Sequence, residues 1–212
     1  MAYLILVRHG ITDWNAEGRW QGLTDIPLNK EGRKQARETA KALSKIKIDA
    51  VYTSLLCRTT QTYDEICNQL GLQCPVTAHE ALNERDYGIY TARNKWEVEK
   101  ELGHEKFIEL RRSWNCPIPK GEALKDVYDR VVRFYNEQIL KDLKSGKNVL
   151  VVSSGNTLRA LIKYLENISD EAIAKLELGF GQVIIYEFDR NGKILGKQTK
   201  KSKRLDLSNL WH

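Results

Sequence analysis

The chain has 212 residues, enough to bury a substantial core, and it reads as one domain with excursions rather than two domains joined by a linker. A hydrophobic fraction of 42% with only 4 prolines excludes a disordered or collagen-like polymer, and no apolar run approaches the roughly 20 residues of a membrane helix. The formal charge of +6 fits an anionic partner, but the most basic stretch, Lys197 to Arg204, carries no interleaved aromatic residues, so a solvated tail over about 197–212 is expected rather than a nucleic-acid patch.

Ala2 to Val7 is a short aliphatic run ended by Gly10, the pattern of a buried strand opening into a loop, which puts His9 at a strand's carboxyl end. From Lys30 to Ile46 the apolar positions Ala36, Ala40 and Leu43 recur at helical spacing, and Asp49 to Thr53 is a second strand. A helix over Leu56 to Leu70 stops at Gly71, and Pro75 to Ala78 is another strand. Lys95 to Trp114 is polar and helical and belongs to an excursion over about 86–121. Glu122 to Leu143 shows the longer amphipathic period of a packed scaffold helix, through Leu124, Val127, Val131, Val132, Tyr135 and Ile139. Asn148 to Val152 is the most apolar strand, followed by the turn Ser153-Ser154-Gly155-Asn156 and a helix from Thr157 to Leu165. Val183 to Phe188 is the last long strand, with Asn191-Gly192 as a hairpin turn into Lys193 to Lys197. The alternation predicts an α/β fold, a three-layer sandwich whose mainly parallel central sheet is flanked by helices, with ligands beyond the carboxyl ends of its strands. His9 and Ser154 both follow a strand in that way.

Arg8-His9-Gly10 sets a guanidinium, an imidazole and a flexible backbone position side by side, as a site requires when imidazole attacks a phosphoryl group whose oxygens are held. Thr12, Trp14-Asn15, Arg19, Gln21-Gly22-Leu23-Thr24-Asp25 and Leu28-x-x-x-Gly32 follow. With them the sequence resembles the histidine phosphatase superfamily, whose opening motif is R-H-G with Ser or Thr two residues beyond the glycine. The resemblance implies that His9 is a nucleophile carrying phosphate, with Arg8 beside it and Asn15, Gln21 and Gly22 on the substrate loop. It also implies that Arg58, in Thr53-Ser54-Leu55-Leu56-Cys57-Arg58-Thr59, is a second phosphate-binding arginine at a helix start.

Leu82-Asn83-Glu84-Arg85-Asp86-Tyr87-Gly88, Asn94-Lys95, Arg111-Arg112-Ser113-Trp114 and Gly121-Glu122-Ala123-Leu124-Lys125-Asp126 are similar in order and spacing to the 2,3-bisphosphoglycerate-dependent phosphoglycerate mutase branch. That resemblance runs from about Leu4 to Asp189. It implies interconversion of 3-phosphoglycerate and 2-phosphoglycerate through phospho-His9, primed by 2,3-bisphosphoglycerate and without a metal. It places Tyr87, Lys95, Arg111, Arg112, Gly155 and Asn156 around a small phosphorylated carboxylate. Glu84 also has a chemical rationale of its own, since a transfer between two hydroxyls needs an acid for the leaving oxygen and a base for the attacking one, and a single carboxyl serves both.

One position departs from the pattern. Where the family's last catalytic turn reads Ala-His-Gly-Asn-Ser, this chain has Ser153-Ser154-Gly155-Asn156-Thr157. Ser154 offers one neutral hydrogen bond without the charge or reach of imidazole, and loss of one preorganised donor typically costs roughly 10²–10³ in rate. Asp86, the segment Ile89-Tyr90-Thr91-Ala92-Arg93 and Gly179-Phe180-Gly181 are lesser departures that bear on substrate orientation. The expected function is therefore a mutase slowed at Ser154. A histidine-type phosphatase acting on small phosphoesters and a weakened phosphoglycerate-binding paralogue are the alternatives, and the extra charge of Lys95, Arg111 and Arg112 favours the mutase over a plain phosphatase. Cys57, Cys67, Cys74 and Cys116 have neither metal-ligand spacing nor the density of a disulfide scaffold, which fits reduced thiols in a cytoplasmic protein. No nucleic-acid or membrane partner is expected, and a homo-oligomer is left open.

Overall fold

A computed structural model describes residues 1–200. Strand β1 (Ala2–Arg8) lies inside a six-stranded sheet, parallel to β4 (Val149–Ser153) on one side and antiparallel to β5 (Val183–Phe188) on the other. With β2 (Ala50–Thr53), β3 (Val76–Ala78) and β6 (Ile194–Lys200), the strand order is β3-β2-β4-β1-β5-β6. The first four are mutually parallel, and β5 and β6 form the antiparallel hairpin read from Asn191-Gly192.

Successive side chains of a strand point to opposite faces, and here both faces are covered. Leu4 and Leu6 pack with helices α6 (Leu124–Phe134) and α8 (Gly155–Glu166), whereas Ile5 and Val7 pack with α2 (Lys30–Leu43) and α3 (Cys57–Leu70). That double burial explains why β1 and β4 read as unbroken aliphatic runs rather than alternating ones. The excursion has a small core of its own, formed by Trp20, Tyr87, Val98, Phe107, Leu110 and Ile118.

Several boundaries differ from expectation for identifiable reasons. The polar helix over 95–114 is two helices, α4 (Lys95–Leu102) and α5 (His104–Arg112), because Gly103 between them has φ of 78°, where a side chain is strained. The long scaffold helix passes from α6 through one π turn (Tyr135–Ile139) into α7 (Leu140–Lys144), and the wide turn keeps Tyr135, Ile139 and Leu143 all buried. A one-turn helix α1 (Asp13–Ala16), absent from the periodicity, is held by a box in which the Thr12 hydroxyl accepts from the Asn15 amide at 3.2 Å. The expected solvated tail is corrected in its first part: Lys197 to Lys200 belong to β6, since backbone pairing with β5 overrides a polar composition, and the Lys200 ammonium donates to Ala42 O at 2.9 Å. The rest of that stretch, 201–212, lies outside the described residues. Among the described residues no helix is long and apolar enough to cross a membrane.

Candidate active site

The sheet register builds the site. Arg8 pairs with Ser153 across β1 and β4, and the His9 amide donates to Ser153 O at 3.0 Å, so His9 and Ser154 leave adjacent parallel strands at the same level. On the other edge of β1, Gly181 N donates to Arg8 O at 3.1 Å, which brings the loop before β5 alongside. β2 ends beside β4 and delivers Arg58 in the first turn of α3. The Ser153 hydroxyl donates to Leu82 O at 2.7 Å and the Thr157 hydroxyl to Asn83 O, fixing the segment that presents Glu84. The loop after His9 lies close against the start of α2: a Cβ on Gly10 would fall 2.3 Å from Gly32 O, so the two segments meet backbone to backbone there. Gly10 N donates to the Thr62 hydroxyl at 3.1 Å, and that hydroxyl donates to Arg58 O at 2.7 Å, which ties the loop to α3.

His9 is buried, and its Nδ1 lies 2.7 Å from Gly10 O. A carbonyl only accepts, so Nδ1 carries the proton and Nε2 keeps its lone pair. Burial, then Arg58, then Arg8 push the His9 pKa well below its ordinary 6.5, and the imidazole is neutral at physiological pH.

The two arginines share a design. Arg58 is fully buried and gives Nη1 to Thr24 O at 2.9 Å and Nη2 to Gly22 O at 2.8 Å, while its Nε has no partner. Arg8 gives Nη1 to Leu178 O and likewise keeps a buried Nε without a partner. Burial lowers the Arg8 pKa to about 10, which leaves it charged. The Ser154 hydroxyl, at 0% exposure, is a third buried donor without a partner, and it does not cap the helix that it begins. Buried donors are rarely left unpaired, and these three, at or beyond the carboxyl ends of β1, β2 and β4, can together hold an anionic group.

Glu84 is half-buried, and its Oε1 accepts from Arg85 N at 2.7 Å and from Asn156 N at 3.3 Å. Its charge opposes the lowering that burial imposes on the pKa of Arg8, Arg58 and Lys95, which places it among all three. Asn156 Nδ2 donates to the Tyr87 hydroxyl at 2.9 Å, and the Tyr87 ring stacks on Trp20 with centroids 5.3 Å apart. Farther out, burial first and then Arg111 and Arg8 lower the Lys95 pKa to about 7. Arg111 lies over the Phe107 ring at 5.1 Å, its pKa lowered by burial and Arg112, and Arg112 pairs with Glu177. Of the other sequence-derived candidates, Gly22 faces Arg58 through its carbonyl, Gln21 is buried with Oε1 unpartnered, Gly155 approaches Arg8, and the Asn15 side chain is engaged in the box with Thr12.

Two cations at the site carry no role in the sequence reading. Arg159, one turn after Asn156, donates Nη1 to Asn156 Oδ1 at 2.8 Å and Nη2 to the Arg112 and Ile173 carbonyls at 3.0 and 2.8 Å. Arg130 donates to the carbonyls of Ala81, Asn83 and Glu84 at 2.8, 2.9 and 3.1 Å and pairs with Glu122. Arg159 shares its helix face with Asn156 and Lys163, three and four residues away, and this polar stripe on a largely buried helix is the signal that would have revealed it.

A family model described as the histidine phosphatase superfamily, branch 1, matches residues 4–200. The 2,3-bisphosphoglycerate-dependent phosphoglycerate mutase of Cytophaga hutchinsonii is 40% identical over 188 residues, covering 89% of this chain and 88% of that protein. Among solved structures, Bacillus stearothermophilus YhfR has a TM-score of 0.79 at 28% identity, covering 92% of this chain and 94% of that one. A mycobacterial glucosyl-3-phosphoglycerate phosphatase complexed with VO3 shares the fold, with a TM-score of 0.82 at 22% identity over 95% of this chain and 98% of that one.

Proposed function

Since the chain belongs to the histidine phosphatase superfamily, branch 1, we propose that it is a phosphoglycerate mutase that interconverts 3-phosphoglycerate and 2-phosphoglycerate through a phosphohistidine on His9, at a rate limited by Ser154. The observation that carries this reading is the neutral His9, its Nε2 free, among the unpaired donors of Arg8, Arg58 and Ser154. When bound, 2,3-bisphosphoglycerate would supply the phosphoryl group that primes His9. The three unpaired donors fit a phosphoryl group, and Lys95, Arg111 and Arg112 fit a second anionic end.

His9 Nε2 forms the bond to phosphorus as the ester P–O bond breaks, and Glu84 hands its proton to the leaving oxygen. In the reverse transfer Glu84 takes the proton of the attacking hydroxyl, the N–P bond breaks and His9 returns to its starting tautomer. Arg8 and Arg58 balance the charge spread over the moving group's oxygens, and because loop carbonyls already hold them, they need no reorganisation during transfer. The remote cations anchor the end of the substrate that does not react.

One observation favours a second reading. Ser154 removes a charged donor, so a phosphatase of small phosphoesters or a phosphoglycerate-binding relative stands as the rival. A coupled assay with 3-phosphoglycerate, run with and without 2,3-bisphosphoglycerate while free phosphate is followed, tests both: primer-dependent 2-phosphoglycerate supports the mutase, and phosphate release with no isomerised product overturns it.

A further inference from the structure

Phe180, half-buried on the loop before β5, touches both ends of the Arg8-His9 pair. Its ring lies 3.8 Å from Arg8 Cζ and its centroid is 5.8 Å from that of His9. The same guanidinium is pressed from the turn after β4, where a Cβ added to Gly155 would lie 3.3 Å from both Arg8 Cζ and Nε. Leu178 O, on Phe180's own loop, takes one Arg8 Nη. The guanidinium is thus confined by an aromatic ring, a glycine and a carbonyl, and its buried Nε is left without a protein partner.

We propose that Phe180 is a positioning residue: its ring fixes the Arg8 guanidinium by a cation–π contact so that Nε stays aimed at the phosphoryl group. The inference deepens the reading of the site as a phosphoryl-transfer centre and rests on it. The need is physical. With serine at position 154, no second imidazole stands near His9 among the described residues, and Arg8 and Arg58 carry the positive charge there. Arg58 is locked by two loop carbonyls. Arg8 has one such bond, and the ring supplies the remaining restraint. An aromatic face suits this role because it attracts the cation without taking a hydrogen bond from it, which leaves Nε free for the ligand.

The test uses the full chain, orthovanadate as the probe ligand and the variants Phe180→Leu and Phe180→Tyr, with vanadate binding and His9 phosphorylation followed separately. Leucine keeps the apolar bulk and loses the π face; tyrosine keeps the face. The expected result is that Phe180→Leu, still folded, binds vanadate about tenfold more weakly, the weight of one desolvated cation–π contact. Phe180→Tyr stays closer to the parent than to the leucine variant. In a Ser154→His background the Phe180→Leu loss shrinks, because a second cation shares the charge. Vanadate affinity unchanged in Phe180→Leu, or lost equally in Leu and Tyr, overturns the inference. If the parent protein forms no phospho-His9 and yet vanadate affinity follows the ring, the proposed function fails while the role of Phe180 stands.

Discussion

The backbone amide of Asn156 donates to Glu84 Oε1 at 3.3 Å, joining residues 72 positions apart and making the turn after β4 and the carboxylate one unit. The turn that contains Ser154 thus also holds the proposed acid, so substitution at position 154 acts next to both proton transfer and phosphoryl stabilisation.

Ser154→His is expected to raise turnover by roughly 10²-fold or more while ground-state ligand binding changes less, because it restores a donor at charge that develops only during transfer. The serine is fully buried with its hydroxyl unpartnered, so the position already faces inward. Steady-state kinetics of the folded variant give the check, and an unchanged or lower rate means the pocket is organised around serine.

Incubation with 2,3-bisphosphoglycerate should add one phosphate that intact-protein mass spectrometry detects under mildly alkaline conditions and that His9→Ala removes. An adduct that survives in His9→Ala excludes His9 as the acceptor. The low His9 pKa adds a stability signature. Unfolded imidazole takes up its proton near 6.5, whereas the folded one stays neutral to lower pH. The unfolded state therefore binds more protons below 6.5, and the contribution of neutral His9 is full above that value and lost as pH falls through the depressed folded pKa. Urea unfolding on either side of 6.5, with His9→Gln as reference, should show the His9 contribution as the difference in slope between parent and variant.

Lys95, with its pKa lowered to about 7, is charged below that pH and neutral above it in the free protein. The KM for phosphoglycerate should therefore rise as pH passes upward through about 7, and Lys95→Met should raise KM and flatten the profile. Hydrolysis of a simple aryl phosphate, which has no remote anionic end, should change less with Lys95→Met or Arg112→Ala. Equal losses on both substrates would place these residues at the transferring group or in the fold alone.

Arg130→Met removes donors from the carbonyls of Ala81, Asn83 and Glu84. A loss of about 1–3 kcal/mol in unfolding free energy is expected from leaving such acceptors unpaired. The accompanying kinetic change should fall on kcat rather than KM, since Glu84 is displaced while Arg8 and Arg58, the arginines proposed to bind phosphate, stay. A variant with parental kcat would show that the Glu84 segment is held by Ser153 and Thr157 without help from Arg130.

What the sequence revealed followed the range of the interactions involved. β1, α2, β2, α3 and β4 were legible because local period and punctuation encode them, and His9, Arg58 and Glu84 because they stand in motifs. The strand order was not legible, since pairing β1 between β4 and β5 depends on contacts far apart in sequence. The break at Gly103 is hidden in the sequence because polar helical residues flank it on both sides, and a positive φ leaves no mark beyond the glycine itself. Phe180 stood out only as a departure from a pattern, and its relation to Arg8 needed the antiparallel register of β5 against β1.

That register also sets when during its own making the protein can become active. The segment with His9 is synthesised before both strands that flank β1: the Tyr3 amide donates to Asn148 Oδ1, 145 positions later, and the loop with Phe180 comes later still. Contacts of such sequence separation form late and slowly, because loop closure must precede any return from the pairing. A growing chain therefore holds His9 long before it has a pocket, and the proposed phosphoryl transfer can begin only once β4 and β5 close around β1. Recovered activity on refolding should thus report completion of the whole sheet rather than formation of any single element.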